Sequence, residues 1–182
     1  MKRHEIAWAA VLLLTVSAVV LYVRAPRTTW VKVGGGIPDV TLPVLGAGNG
    51  ARAIHQLRGL PLLLVFFDTA SASASSQLPQ IQSIHKFFLP RTLQVVGVAA
   101  DTDLANADRL LREWGVTFLV LSDPGGKIGR DVYHIESFPE AYLVEQSGRV
   151  AAVFPGPIRW RTAGMDDLIT RVLPQRAPRQ VR

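Results

Sequence analysis

The sequence predicts an α/β fold, a central mixed β-sheet flanked by helices, carried behind an N-terminal transmembrane helix. Three observations predict it. Residues 61–67, PLLLVFF, and 93–99, LQVVGVA, are short uninterrupted apolar runs, the pattern of central strands buried on both faces. Between them Leu78, Ile81, Ile84 and Phe88 recur at the spacing of one helix face. Ahead of all of these, residues 6–23, IAWAAVLLLTVSAVVLYV, carry no charge.

Taken in order, residues 1–5 form a short N-terminus assigned to the cytoplasm. The stretch 6–23 reaches roughly 27 Å at about 1.5 Å per residue, close to the hydrocarbon thickness of a bilayer. Val16-Ser17-Ala18 offers a weak site for signal cleavage, but apolar residues continue beyond it. Trp8 and Tyr22 stand near the two ends as interfacial anchors. An uncleaved anchor is therefore expected, with a cleaved signal peptide as the alternative. Arginines on both flanks leave orientation open on charge alone. Residues 24–36 are expected to be a linker ending in a flexible spacer, Gly34-Gly35-Gly36. That glycine run precedes the extended Ile37-Pro38-Asp39-Val40 rather than joining a strand to a helix, so it lacks the context of a phosphate loop.

The domain at 37–174 opens with a strand at Val40–Leu45. The strand at 61–67, the helix through Phe88 and the strand at 93–99 follow. A helix then carries Leu104, Leu110, Leu111 and Trp114, and a strand covers Thr117–Leu121. Asp123-Pro124-Gly125-Gly126 makes a turn into a short helix ending near Tyr133. Ala141–Val144 and Val150–Phe154 flank Gln146-Ser147-Gly148, a hairpin signal, and a last helix runs from about Gly164 to Val172. Strands alternating with helices predict helices on both faces of the sheet. Residues 175–182, QRAPRQVR, are expected to be a basic, disordered tail.

The net charge of +6 is uneven. Lys2, Arg3, Arg24, Arg27 and Lys32 against Glu5 give residues 1–34 a net +4, and Arg171, Arg176, Arg179 and Arg182 give the C-terminal end another +4. Residues 35–170 hold 11 basic and 13 acidic side chains, so the body lacks the basic face of a nucleic-acid reader. Basic ends beside a membrane span suit anionic headgroups instead. The chain has no cysteine, which excludes disulfides, thiolate metal sites and cysteine nucleophiles. No His, Asp and Glu grouping has metal-ligand spacing, and no cofactor is expected.

The order of elements resembles the thioredoxin-like superfamily in its membrane-anchored TlpA/ResA/CcmG-type branch, the AhpC/TSA-redoxin thiol–disulfide oxidoreductases. Leu57-Arg58-Gly59-Leu60-Pro61 stands where that family has a Leu-x-Gly-x-Pro element. Phe66-Phe67 and Thr69 fall at its aromatics and threonine before the active site, and Leu78-Pro79 at its hydrophobic–proline pair. Ser122-Asp123-Pro124 through Tyr133 is similar to the insert and helix before its proline loop. Ser137-Phe138-Pro139, Ala141-Tyr142-Leu143-Val144 and Gly148 are similar to its cis-proline loop, strand and hairpin turn. The resemblance implies a thioredoxin-like (redoxin) domain at 37–174, facing the periplasm or another extracytoplasmic space from a single-pass anchor in the cytoplasmic membrane.

The same resemblance places the two cysteines of the Cys-x-x-Cys motif on Ser71 and Ala74. A peroxiredoxin-like register puts the reactive cysteine near Ser75, and a copper-chaperone register uses Ser71 and Ser75. None finds a sulfur. A serine cannot exchange disulfides by the thiolate route. A serine hydrolase would need a base in reach. His85 lies roughly 21 Å along the same helix by its rise, which leaves His134. The other reading of Ser71, Ser73, Ser75 and Ser76 is as helix caps. Asp68, with Thr69, is expected either to support the site as a proton relay or to sit as a carboxylate beside the helix N-terminus. Phe138, Pro139 and Glu140 are the candidate binding residues. The resemblance implies a cis Pro139 in a loop that pairs with a substrate backbone, a mode that needs no thiol. Trp114 is expected in the core. Trp160, between Arg159 and Arg161, is expected at the surface as a contact point. The expected function is a non-catalytic binding or assembly module for an extracytoplasmic protein or peptide in a redox or cytochrome-maturation setting. The alternatives are an enzyme of another class using Ser71, Asp68 or His134, and a membrane-tethered structural scaffold.

Overall fold

A computed structural model describes residues 31–46, 48 and 50–174. The anchor at 6–23, the linker residues 24–30 and the tail at 175–182 lie outside the described residues. Among the described residues no helix is long and apolar enough to cross a membrane.

The centre of the sheet is β3 (Leu62–Phe67), every residue of which is buried. Alternation explains why all six are apolar. Leu63, Val65 and Phe67 belong to one core layer, and Leu62, Leu64 and Phe66 to the other. β3 pairs in parallel with β4 (Gln94–Ala99), which pairs in parallel with β5 (Leu119–Ser122). On its other side β3 pairs antiparallel with β6 (Glu140–Val144), and β6 antiparallel with β7 (Val150–Pro155). The sheet order is β5-β4-β3-β6-β7. Gly97 in β4 has a packing reason: a Cβ there would lie 2.8 Å from the Phe67 ring.

One face is covered by α1 (Ala74–Phe88), α2 (Leu104–Glu113) and α4 (Ala163–Val172), through Leu78, Ile81, Ile84, Phe88, Leu111 and Ile169. The other face carries the expected short helix before Tyr133 together with elements the sequence did not announce. Its cover is the short α3 (Lys127–Asp131), a 3-10 turn at Ile54–Leu57, and a hairpin of β1 (Thr41–Pro43) with β2 (Ala51–Ala53). Strand β2 is absent from the sequence reading because Ala-Arg-Ala carries almost no apolar signal.

Gly34-Gly35-Gly36, expected as a spacer, is held against the sheet. Gly34 N–H donates to Val150 O at 2.8 Å, Val150 N–H to Gly35 O at 2.8 Å, and Ile37 N–H to Gly148 O at 2.9 Å. Val31 is buried beside them. Leu45 N–H donates to Val120 O at 2.9 Å, so the same N-terminal stretch touches both outer strands and covers edges that would otherwise be open for pairing.

Trp160 corrects a second expectation. It is 2 % exposed, and its indole N–H donates to Gln77 Oε1 at 2.9 Å. Arg159 and Arg161 on either side of it are exposed, so the charge of its neighbours does not report which way the indole points. Trp114 packs, partly buried, against the same core layer.

Candidate active-site cleft

The C-terminal ends of the three parallel strands carry Asp68, Asp101 and Asp123, the first just past β3, the others just past β4 and β5. In an α/β sheet this is the end where sites form. The turn after β3 is built locally. Asp68 Oδ1 accepts from Ala70 N–H at 2.8 Å, and Asp68 O accepts from Ser71 N–H at 3.0 Å. Asp68 is thus a turn former. Ser71 O takes Ala74 N–H at 3.0 Å, and α1 begins there.

The serines do not cap α1 with their side chains. Ser73 occupies the N-cap with φ −91° and ψ −15° and makes no side-chain cap bond. A cap needs extended backbone angles to aim its oxygen at the N2 or N3 amide, and Ser73 is already helical. Its Oγ lies 3.2 Å from Ser71 Oγ, and Ser76 Oγ turns back to Ser73 O at 2.9 Å. Ser71 is half-buried at the cleft mouth, Ala74 is buried and Ser75 exposed.

Opposite stands Pro139, buried, behind a cis Phe138–Pro139 bond. Ser71, Ser73, Ala74, Gln77 and Pro139 surround a cavity of about 10 Å³ over an apolar floor, room for about one water. No histidine lines it. His134 sits at φ 56° after α3, and the charge it faces is Asp131. His85 lies far along α1 with its pKa lowered, first by burial and then by Lys86.

Phe138 faces the other side of the loop. A Cβ on Gly126, itself at φ 67°, would lie 2.8 Å from the Phe138 ring, and one on Gly129 would lie 3.3 Å from it. The two glycines form a shelf for the aromatic. Phe138 borders a second, polar cavity of about 250 Å³ with Asp68, Thr69, Asp101, Asn106 and Arg130. Glu140 is buried at the start of β6 and accepts from the Tyr142 hydroxyl. Burial first, and then the Glu140 bond, holds the Tyr142 hydroxyl neutral far above its ordinary pKa.

Two supports escaped sequence reasoning. Asp101 is buried and accepts from Thr69 N–H with both oxygens, at 3.1 and 3.2 Å, and from Thr69 Oγ1. Burial raises its pKa above the carboxylate value, the Thr69 bonds pull it down, and Asp68 pushes it up again. The signal was the parallel pairing of Phe67 with Ala99, which brings the residues two places beyond each strand end side by side. Gln77 is the other: its amide donates to Ile158 O at 2.9 Å and accepts from Ile158 N–H at 3.2 Å and from Trp160. It ties α1 to the segment before α4.

A mixed sheet with its parallel strand ends, an active-site-type turn and a cis-proline loop defines a thioredoxin-like domain whose turn holds no sulfur. The Redoxin family model matches residues 32–169, and the chain belongs to that family. It is 23% identical over 163 residues to the thiol-disulfide oxidoreductase ResA of Oceanobacillus iheyensis, covering 86% of this chain and 84% of that one. Among solved structures it is similar to a putative thiol:disulfide interchange protein DsbE from Chlorobium tepidum, with TM-score 0.71, 22% identity, and 79% and 99% of the two chains covered. A putative protein disulfide isomerase from Bacteroides thetaiotaomicron gives TM-score 0.70, 19% identity, and 80% and 92% coverage.

Proposed function

We propose that this redoxin domain is a non-catalytic binding module. It takes an extended segment of an extracytoplasmic protein along the loop Ser137–Glu140, and residues 6–23 tether it to the cytoplasmic membrane. Its setting is extracytoplasmic redox chemistry or cytochrome maturation, by analogy with relatives named for disulfide chemistry. One observation carries the reading. The two positions that resemble the redox pair are Ser71 and Ala74, one at the cleft mouth and one buried, while the cis-proline loop stands beside them in place. The cavity between Ser71 and Pro139 has room for about one water, too little for a small-molecule site at the turn itself. Backbone pairing along such a loop needs no thiol. An enzyme built on Ser71 would need a base within about 3 Å. The side-chain partner of Ser71 is Ser73, and the Asp68 carboxylate holds the turn.

The test is to put the sulfurs back. Ser71→Cys/Ala74→Cys in the full chain is expected to reduce insulin with dithiothreitol as electron donor, while the unmodified chain stays at the background rate. Catalysis by the unmodified chain would sink the proposal. A double variant that folds but remains inert would show that the frame around the turn no longer accepts a polypeptide.

A further inference from the structure

The opposite end of the domain carries features that the cleft does not use. Gln94, Leu62, Val144 and Val150 form a row across four neighbouring strands at that end. Among the described residues the exposed large apolar side chains are Val33, Leu60, Phe87 and Leu89. Leu60 lies just before β3, Leu89 between α1 and β4, and Phe87 in the last turn of α1. Val33 precedes Gly34, which is bonded to Val150. All four therefore gather around that row, away from Ser71 and Pro139.

Basic residues gather there too. Lys32 adjoins Val33, and Arg149 adjoins Val150. Arg58 packs beside Gly148, and the Arg91 guanidinium stands 4.4 Å over the Phe87 ring. Arg171 borders a surface hollow with Glu145 and Pro174, Glu145 being the acidic member. The basic side chains of α2, by contrast, are neutralised within the helix, Arg109 by Glu113 and Arg112 by Asp108. The polar cavity at the cleft end is lined by Asp68, Asp101 and Asp103 against Arg130, so the two ends differ in their balance of charge.

Both ends of the described chain leave from this same end. Val31 belongs to the same core layer as Val150, and Gly34 three residues on is bonded to Val150 O; Pro174 shares its hollow with Glu145 and Gln146. Beyond Pro174 the sequence adds Arg176, Arg179 and Arg182. Before Val31 the connector 24–30 spans at most roughly 25 Å, at about 3.3–3.6 Å per residue.

We infer that this end is a membrane-contact face that lies on an anionic bilayer surface and holds the cleft pointing away from it. The inference rests on the anchor reading of residues 6–23 proposed above. A short connector keeps the face near the headgroups. Exposed apolar side chains enter the interface, and clustered Lys and Arg are each attracted to an anionic surface within a Debye length. Contact with lipid covers Val33, Leu60 and Leu89 and fixes the direction in which the groove is presented.

The chain lacks cysteine, so single probe sites are simple to make. Leu89→Cys and, at the cleft end, Ala70→Cys are labelled with a fluorophore in the full chain and reconstituted into vesicles carrying headgroup-level spin-labelled lipid. In phosphatidylglycerol-containing vesicles the Leu89 probe is expected to be quenched at least about threefold more than the Ala70 probe. The difference shrinks in high salt and in Lys32→Glu/Arg91→Glu. Equal quenching at the two sites, or the same pattern in purely neutral lipid, would overturn the inference. So would burial of the Leu89 probe only when an acidic protein is added. Alkaline carbonate extraction separates the two readings. A chain that washes off the vesicles refutes the anchor, whereas one that stays while its Leu89 probe remains unquenched refutes the contact face alone.

Discussion

The turn at 71–76 and the frame around it are held by different kinds of interaction. In the turn, Ser71 and Ser73 touch through their hydroxyls at 3.2 Å, Ser76 folds back on Ser73 O, and Ser75 is exposed. None of these contacts reaches another element. The frame joins separate elements: buried Thr69 on Asp101, buried Gln77 on Ile158 and Trp160, and half-buried Phe138 on its two glycines. Removing a buried partner strands polar groups or opens a hole, whereas a surface hydroxyl exchanges its partner for water. The interactions between elements hold the shape of the cleft, while the serine hydroxyls of the turn carry little structural load and Ala74 serves the core.

That contrast can be broken most severely at Trp160. Trp160→Ala removes a buried indole and leaves Gln77 short of a donor. An unfolding titration in urea should show a loss of about 3–5 kcal/mol. A loss within about 0.5 kcal/mol, the range of an ordinary surface change, would mean that the segment before α4 is not part of the frame.

Asp101→Ala comes next. It leaves Thr69 N–H and Oγ1 buried without an acceptor and should cost about 1–3 kcal/mol. Asp101→Asn, which keeps one oxygen, should cost less. The pH dependence sharpens the same point. Burial raises the Asp101 pKa above its unfolded value of 3.8, so the folded state holds the proton more tightly. That contribution is fully present below 3.8 and is lost as pH rises through the folded value. Stability measured across mildly acidic pH should therefore fall less steeply with rising pH in Asp101→Asn than in the unmodified chain.

Ser71→Ala is the smallest effect. A half-buried hydroxyl whose contact is Ser73 should change stability by no more than about 0.5 kcal/mol. A larger loss in the same titration would promote the turn into the frame and erase the distinction.

Much of the frame was legible in the sequence where the signal is local. PLLLVFF announces a strand buried on both faces, and Leu78, Ile81, Ile84 and Phe88 announce the face α1 buries. The loop at Phe138-Pro139 was legible through its resemblance, and its cis bond is present. What failed was non-local. Asp101 acquires its role from the pairing of β3 with β4, which no window of sequence contains. Trp160 is buried by packing in the core layer against Phe154, with its indole N–H satisfied by Gln77 far away in the chain. The serines suggest capping by composition, but the cap depends on one pair of backbone angles at Ser73. Gly34-Gly35-Gly36 has the composition of a spacer, yet its peptide groups bond to the start of β7.

In the proposed role the cleft beside Pro139 engages a polypeptide without a covalent step. A photo-crosslinking amino acid at Ser137 of the full chain, expressed in its native host, probes that engagement, with the same group at exposed Arg109 of α2 as the reference. The expected outcome is one defined protein adduct from position 137, identified by mass spectrometry and absent from position 109. No adduct at 137, or the same adducts from both positions, would contradict it.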